Sequence, residues 1–208
     1  MKKEWRKHEK NIYLPKNQPT LIEVPKFNYF TICGSGNPNN DFFGEYIKVL
    51  YSVSYAVRMS YKSDNPPEDY YNYTVYPLEG VWDIADKSMK KGNVIDKDNL
   101  VFELMIRQPE FVTKDFAQRI IEKTKDKKPH NLIDEIEFKT IDEGKCVQML
   151  HLGSYDDEPV SFSMMDKYCN ENSLERISMK HREIYLSDFR KTMPEKLKTV
   201  LRYKVKEI

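Results

Sequence analysis

The feature that most constrains the fold of this chain is an order of predicted elements that occurs twice. The first copy is strand, helix, strand, strand over residues 27–33, 42–61, 73–79 and 100–107. The second copy has the same order over residues 145–152, 158–171, 181–187 and 198–205. The copies share little residue identity, so the repeat rests on element order. We therefore expect an α+β fold in which duplicated β-α-β-β modules form one pseudo-symmetric domain with a central ligand cleft.

The boundaries of this domain follow from changes in composition along the chain. Residues 1–20 are charged and are interpreted as an N-terminal arm, which Trp5 and Tyr13 could attach to the body. The domain is expected over 21–208, with repeat one at about 21–125 and repeat two at about 130–208. The segment KTKDKKP is expected to be a solvated linker between the repeats, and residues 87–97 are expected to form a polar, turn-rich connection.

The composition excludes several classes of protein. A hydrophobic content of 39% is enough for a core, so general disorder is not expected. The 34 Lys and Arg against 33 Asp and Glu argue against a DNA-coating protein, and we expect no direct nucleic-acid binding. No apolar run is long enough to span a membrane, and the first residues lack the apolar stretch of a signal peptide. We therefore expect a soluble, cytoplasmic protein without a membrane partner.

Metal and cofactor motifs are absent from the sequence. The three cysteines are scattered without a CxxC pair, and His181 and Glu183 are only two potential ligands, so no metal site is predicted. No Walker, Rossmann or GxSxG signature occurs, so no organic cofactor is predicted either. The cysteines lie on apolar-patterned elements, where buried and inert thiols are the usual case.

The strand HREIYLS carries the main candidate for chemistry. Alternation along a strand sends Ile184 and Leu186 to one face and Glu183 and Tyr185 to the other. A carboxylate between aromatic walls can bind a cation, accept a hydrogen bond or act as a general base on water. The simpler alternative, a solvated carboxylate paired with a neighbour such as Arg202, is favoured when the residues alone are considered.

Two further carboxylates are candidates for the same cleft. Glu103 lies in a strand of the first repeat and is the natural second carboxylate. Glu79 is the alternative, although Gly80 follows it, so a turn or a bulge explains it equally well.

Aromatic side chains are unusually frequent, with 14 Tyr and 10 Phe beside only 7 Gly. Such side chains suit small-molecule pockets and interfaces, although packing in a core is the commoner role of any single one. The candidate walls of a ligand site are Trp82, Tyr155, Phe43 and Tyr46.

Four stretches of the sequence resemble the GyrI-like small-molecule-binding proteins, in particular their stand-alone bacterial branch. These stretches are YTVYPLEGVW, QPEFVTKDFA, EGKCVQMLHLGSYDDEP and HREIYLSDFRKTMPEKLKTVLRYKV. The resemblance extends from near Leu21 to the C-terminus and implies a duplicated β-α-β-β fold with a central ligand cleft. It also implies that Glu183, on the matching strand, is a buried carboxylate that receives planar, cationic drugs. This implication reverses the preference for a solvated Glu183.

The resemblance leaves three functions open. Some stand-alone relatives hydrolyse cyclopropane-bearing DNA alkylators, which implies a detoxifying hydrolase in which Glu183 activates water and Tyr155 or Tyr185 donates a hydrogen bond. The second function is a module that sequesters or senses drugs without turning them over. The third, modulation of gyrase, is the least expected, because the DDE of residues 156–158 is better explained as a helix start. About 20 residues precede the first strand, too few for a helix-turn-helix, so a one-chain transcription activator is not expected.

Overall fold

The computed structural model describes residues 2–63, 65–84 and 97–208. Most of the connection predicted at 87–97 lies outside these residues. The helices are α1 Trp5–His8, α2 Lys10–Tyr13, α3 Phe42–Arg58, α4 Lys114–Lys127 and α5 Glu158–Glu171. The strands are β1 Thr20–Val24, β2 Phe27–Ser35, β3 Leu78–Ile84, β4 Leu100–Gln108, β5 Glu137–Ile141, β6 Gly144–Leu152, β7 Leu174–Arg176, β8 His181–Tyr185 and β9 Lys198–Glu207. The predicted α+β class is confirmed.

The chain forms two compact units. Unit 1 contains residues 1–3, 27–78 and 82–141, and unit 2 contains residues 4–26, 79–81 and 142–208. In unit 1, β2 pairs antiparallel with both β4 and β5, and α3 packs against β2 and β4. Phe43, Ile47, Leu50 and Val57 recur at helical spacing and are buried, which explains why this segment docks as a helix. The helix predicted over 42–61 ends at Arg58, and Tyr61, which continues the same apolar spacing, is exposed.

Unit 2 is built on the strand order β1-β6-β9-β8, with antiparallel pairing throughout. Its helix α5 packs against β6, and Met165 and Cys169 lie on the buried face of the helix. The N-terminal segment also packs here, because Trp5 and Tyr13 are buried with their ring centroids 5.4 Å apart. The segment interpreted as an arm is therefore partly helical and contributes to the core of this unit.

Each unit takes one strand from the other half of the sequence. Strand β1 comes just before β2 in the chain but pairs with β6 in unit 2, and β5 comes just before β6 but pairs with β2 in unit 1. Residues 21–33 have a strand-like sequence throughout, but β1 ends at Val24, because Pro25 has no N–H to donate. The compact units therefore cross the repeat boundaries that the sequence suggests.

Three predictions need correction, two of element bounds and one of burial. The strand placed at 73–79 starts only at Leu78, immediately after Pro77, which cannot donate to a sheet. Helix α4 continues to Lys127, into the segment predicted as a linker, because Thr124 is buried and lysines are favourable at a helix C-terminus. The thiol-bearing Cys33 is exposed, whereas the apolar pattern around it suggested burial.

The membrane prediction can be compared with the helices that the structure describes. None of them is long and apolar enough to cross a membrane.

Candidate functional site

Strand β8 holds the main candidate carboxylate in a buried position. Glu183 is 8% exposed, and the neighbouring Ile184 is fully buried on the opposite face, as the alternation predicts. The alternative partner proposed from sequence, Arg202, lies opposite Arg182 on β9 and donates to Glu143 instead. Glu183 is therefore a buried carboxylate of unit 2 and is not paired with Arg202.

A tight turn positions the start of α5 in the same unit. Gly153 directly follows β6 and has a φ of 128°, a conformation that favours glycine. The side chain of Ser154 then accepts a hydrogen bond from the backbone N–H of Asp156 at 3.2 Å. Pro159, in the first turn, fits a helix start because its missing N–H has no intrahelical acceptor there.

His151 stabilises this turn from the end of β6. Its Nδ1 lies 2.9 Å from the Ser161 hydroxyl, and its Nε2 lies 2.9 Å from the Ser154 carbonyl oxygen. Both ring nitrogens of this buried histidine are thus hydrogen-bonded to the turn and to α5. These hydrogen bonds of His151 to Ser154 and Ser161 were not predicted from the sequence.

Tyr155 and Tyr185 form an aromatic pair beside the carboxylate. Their ring centroids are 6.1 Å apart and their planes are nearly perpendicular. Burial raises the pKa of the Tyr155 phenol, and the negative charges of Glu183, Glu158 and Asp188 raise it further. The phenol therefore stays protonated at neutral pH and keeps its capacity to donate a hydrogen bond.

Glu158 is the second carboxylate of this site, and the sequence reading missed it. The residue lies in the first turn of α5, is 7% exposed, and its Oε1 is buried without a hydrogen-bond partner among the described residues. Burial raises the pKa of the Glu158 carboxyl well above its usual value, and the charges of Glu183 and Asp156 act in the same direction. In the sequence, the acidic residues 156–158 are explained by the start of a helix, where negative charge is favourable. That explanation gave no reason to expect a further role for Glu158.

His181 completes a group of three donor residues. Its Nε2 lies 3.1 Å from Glu183 Oε1, and its ring packs edge-on against Phe162 with centroids 4.8 Å apart. The ligand-type atoms of Glu158, His181 and Glu183 all lie within 4.8 Å of one another. Among the residues that the structure describes, this is the group whose side chains could hold a metal ion.

Glu79 lies in a buried ionic network of unit 2. Its Oε2 accepts from Arg182 at 2.6 Å, while Arg182 also donates to Glu143 at 2.8 Å and Arg202 donates to Glu143 at 2.9 Å. Arg202 donates further to Gln148 Oε1 at 3.0 Å. At 1% exposure of Glu79, Arg182 gives the Glu79 Oε2 atom a partner, whereas its Oε1 atom is buried without a hydrogen-bond partner among the described residues, and burial raises the pKa of this carboxyl. A contact of Glu79 with a ligand remains a prediction.

The other predicted aromatic walls lie together in unit 1. Trp82 and Phe43 have ring centroids 5.9 Å apart, and both pack on Phe102, as does Tyr46. Gly34 makes this packing possible, because a Cβ there would lie 2.5 Å from the Phe102 ring. Trp82 is 6% and Phe43 5% exposed, so both are part of the core of the unit.

Glu103 also lies in unit 1, where its carboxylate forms an ion pair with Lys139 at 3.1 Å. The structure thus brings Glu183, Tyr155 and Tyr185 together in unit 2, and Phe43, Tyr46 and Trp82 together in unit 1. The ligand contacts of all these residues remain predictions.

Comparison with known proteins finds a matching family and similar solved structures. The model of a family described as the GyrI-like small molecule binding domain matches residues 17–206. The crystal structure of a hydrolase from Listeria innocua is 31% identical and has a TM-score of 0.88, with 98% of this chain and 100% of that chain covered. A hydrolase encoded by lin2189 from Listeria innocua is 32% identical with a TM-score of 0.90, with 99% of this chain and 100% of that chain covered.

A more distant likeness concerns the fold alone. The C-terminal domain of EcmrR is 16% identical with a TM-score of 0.54, with 92% of this chain and 98% of that domain covered. No curated protein matches the chain.

Proposed function

Because the chain belongs to the GyrI-like small-molecule-binding domain family, we propose that it binds planar, hydrophobic, drug-like molecules and hydrolyses those that carry an electrophilic cyclopropane. The observation that carries this proposal is the burial of Glu183 in the unit that also holds the Tyr155–Tyr185 pair. The hydrolases from Listeria innocua, which match this chain over their whole length, support a hydrolytic reaction.

Recognition begins with charge and shape. A carboxylate at 8% exposure has lost most of its water, so a cationic or hydrogen-bonding ligand gains more from it than from a surface carboxylate. The rings of Tyr155, Tyr185 and Phe162 offer flat apolar faces and edges in the same unit. The chemistry of these groups suits a planar molecule with a polar or positive centre.

The reaction uses Glu183 as the base. Its carboxylate takes a proton from water while the water oxygen forms a bond to a cyclopropane carbon. The strained C–C bond breaks, and its electron pair moves through the conjugated system to a carbonyl oxygen. The Tyr155 phenol donates a hydrogen bond to this oxygen, which gains negative charge and then takes up a proton from solvent, while Glu183 releases its proton to solvent, so the product is the substrate plus one water.

The aromatic cluster of unit 1 is proposed as a ligand contact to be tested separately. Tyr46 is half-buried, while Phe43 and Trp82 would have to move to expose a ring face. The contact can be tested by fluorescence in the variant Trp5→Phe, in which Trp82 is the remaining tryptophan of the sequence. Quenching of its fluorescence by a planar dye would support the contact, and unchanged fluorescence at saturation would argue against it.

A binding module without turnover is the second candidate function. The observation that favours it is the closeness of two buried carboxylates, Glu158 and Glu183, which attract a cation whether or not water attacks the ligand. Two results would support this function. A planar cationic dye should bind and be recovered chemically unchanged, and cyclopropane-bearing molecules should remain intact after incubation with the protein.

The deciding experiment follows product formation by mass spectrometry. A cyclopropane-bearing alkylator is incubated with the wild type, with Glu183→Gln and with Glu175→Gln, an exposed carboxylate of β7 in the same unit. We expect hydrated product with the wild type and the control, and a rate at least about 100-fold lower with Glu183→Gln. Equal rates for Glu183→Gln and the wild type would remove Glu183 from the mechanism.

A further inference from the structure

Three donor groups of unit 2 converge although they come from two distant parts of the chain. His181 and Glu183 lie two residues apart on β8, so their side chains share one face of the strand. Glu158 comes from the first turn of α5. The imidazole and the two carboxylates have their ligand-type atoms within 4.8 Å of one another.

The distances between these atoms suit a small divalent cation. Zinc binds imidazole nitrogen and carboxylate oxygen at about 2.0–2.2 Å, so two donors at a tetrahedral angle are about 3.4 Å apart. The observed 3.1 Å between His181 Nε2 and Glu183 Oε1 is close to that value. The Glu158 donor atom lies within 4.8 Å of the other two, so it must approach them by at most about 1.4 Å to reach that separation.

Charge and hydrogen bonding in this group also favour a cation. Glu158 and Glu183 are 7% and 8% exposed, and none of the described Lys or Arg residues forms an ion pair with either. Glu158 Oε1 is buried without a hydrogen-bond partner among the described residues, a state that costs free energy. A divalent ion would give this oxygen a partner and would compensate the charge of both carboxylates.

We propose that Glu158, His181 and Glu183 bind a divalent transition-metal ion. One nitrogen and two oxygen donors fit zinc better than calcium or magnesium, which prefer oxygen alone. Three protein ligands also leave a coordination position open, as in catalytic zinc sites.

The open position has a chemical use that rests on the proposed function. A metal-bound water loses its proton more easily than free water, and the second oxygen of the Glu183 carboxylate would be free to accept that proton. The rest of the proposed reaction is unchanged: the water oxygen attacks a cyclopropane carbon, the strained C–C bond breaks, and Tyr155 donates its hydrogen bond to the carbonyl oxygen. Binding of the metal is independent of this reaction and can be measured without any substrate.

The test measures zinc binding directly. Protein freed of metal with a chelator is titrated with zinc chloride by calorimetry, and its metal content is measured after dialysis. We expect one zinc per chain in the wild type, and an affinity at least about tenfold lower in Glu158→Gln and in His181→Ala. The matched control is His130→Ala, which removes a histidine that pairs with Glu45 at 2.9 Å in unit 1. It should bind zinc like the wild type.

Each outcome decides the proposal. The proposal would be overturned by no zinc in the wild type, by wild-type zinc affinity in Glu158→Gln and His181→Ala, or by a loss of binding in His130→Ala. Circular dichroism checks that the variants are folded. If they are not, wild-type crystals soaked in zinc chloride replace them, and an anomalous peak away from the three side chains overturns the site. Zinc binding without cyclopropane hydrolysis would contradict the proposed function and leave the metal site intact.

Discussion

Glu158, in the first turn of α5, has its carboxylate within 4.8 Å of the Glu183 carboxylate on β8, and both side chains are buried. Two carboxylates at this separation repel each other when both are ionised, and little water is present to screen them. A buried site of this kind costs stability, which a protein tolerates when the site serves a function.

The repulsion predicts that Glu183→Gln stabilises the protein while it impairs function. Glutamine is almost isosteric and its oxygen can still accept from His181, so the main loss is one negative charge. In the presence of a chelator we expect the free energy of unfolding to rise by about 0.5–2 kcal/mol in a urea titration. Glu175→Gln should change it by less than about 0.5 kcal/mol, and destabilisation by Glu183→Gln would contradict the argument.

Replacing Tyr155 by Phe should separate binding from turnover. The phenol stabilises charge that develops as the ring opens, so kcat should fall about 100-fold with little change in KM. Tyr168→Phe, on the same helix, is the control and should behave like the wild type. Because the pKa of Tyr155 is raised above 10.0, ionisation of this phenol should not reduce the rate below that pH. A KM effect without a kcat effect would assign Tyr155 to binding alone.

The buried ionic network predicts a pH-dependent stability centred on Glu143. Burial alone would raise the pKa of this carboxyl, but Arg182 and Arg202 outweigh burial and lower it below the ordinary 4.5. A lowered pKa in the folded state means that Glu143 stabilises the fold above pH 4.5, and that this contribution is lost as the pH falls through the folded-state pKa.

Glu143→Gln should therefore cost about 3–5 kcal/mol at pH 7, because two buried guanidinium groups lose their shared carboxylate. The difference from the wild type should shrink as the pH falls from 4.5 through the lowered folded-state pKa, below which the folded wild-type carboxyl is protonated as well. Urea titrations at pH 7 and at acidic pH measure both quantities. A difference that stays constant with pH would show that charge on Glu143 is not the cause.

Two glycines of unit 1 should respond to alanine in opposite directions. In Gly34→Ala the new Cβ would lie 2.5 Å from the Phe102 ring, so the Trp82 cluster must shift, at a cost of about 1–3 kcal/mol. In Gly44→Ala the Cβ meets nothing within 4 Å, and helix α3 should gain up to about 1 kcal/mol. Thermal unfolding and tryptophan fluorescence report both effects. Equal stability of the two variants would refute the close contact at Gly34.

Local patterns were sufficient to predict most elements of the fold. Alternation on β8 correctly separated Glu183 from Ile184, and the helix predicted over 42–61 forms, although it ends at Arg58. The failures occur where proline changes hydrogen bonding, as at Pro25 and Pro77, because a strand pattern carries no information about a missing donor.

The sequence by itself determined the α+β class, the element order and the face on which Glu183 lies, because these depend on the spacing of apolar residues over a few positions. Only the tertiary structure decided that Glu158 lies next to Glu183 and that Arg202 donates a hydrogen bond to Glu143. It also decided that β1 and β5 pair with strands outside their own repeats. Those relationships join residues far apart in the chain. They depend on strand register and on helix docking, which no local pattern specifies.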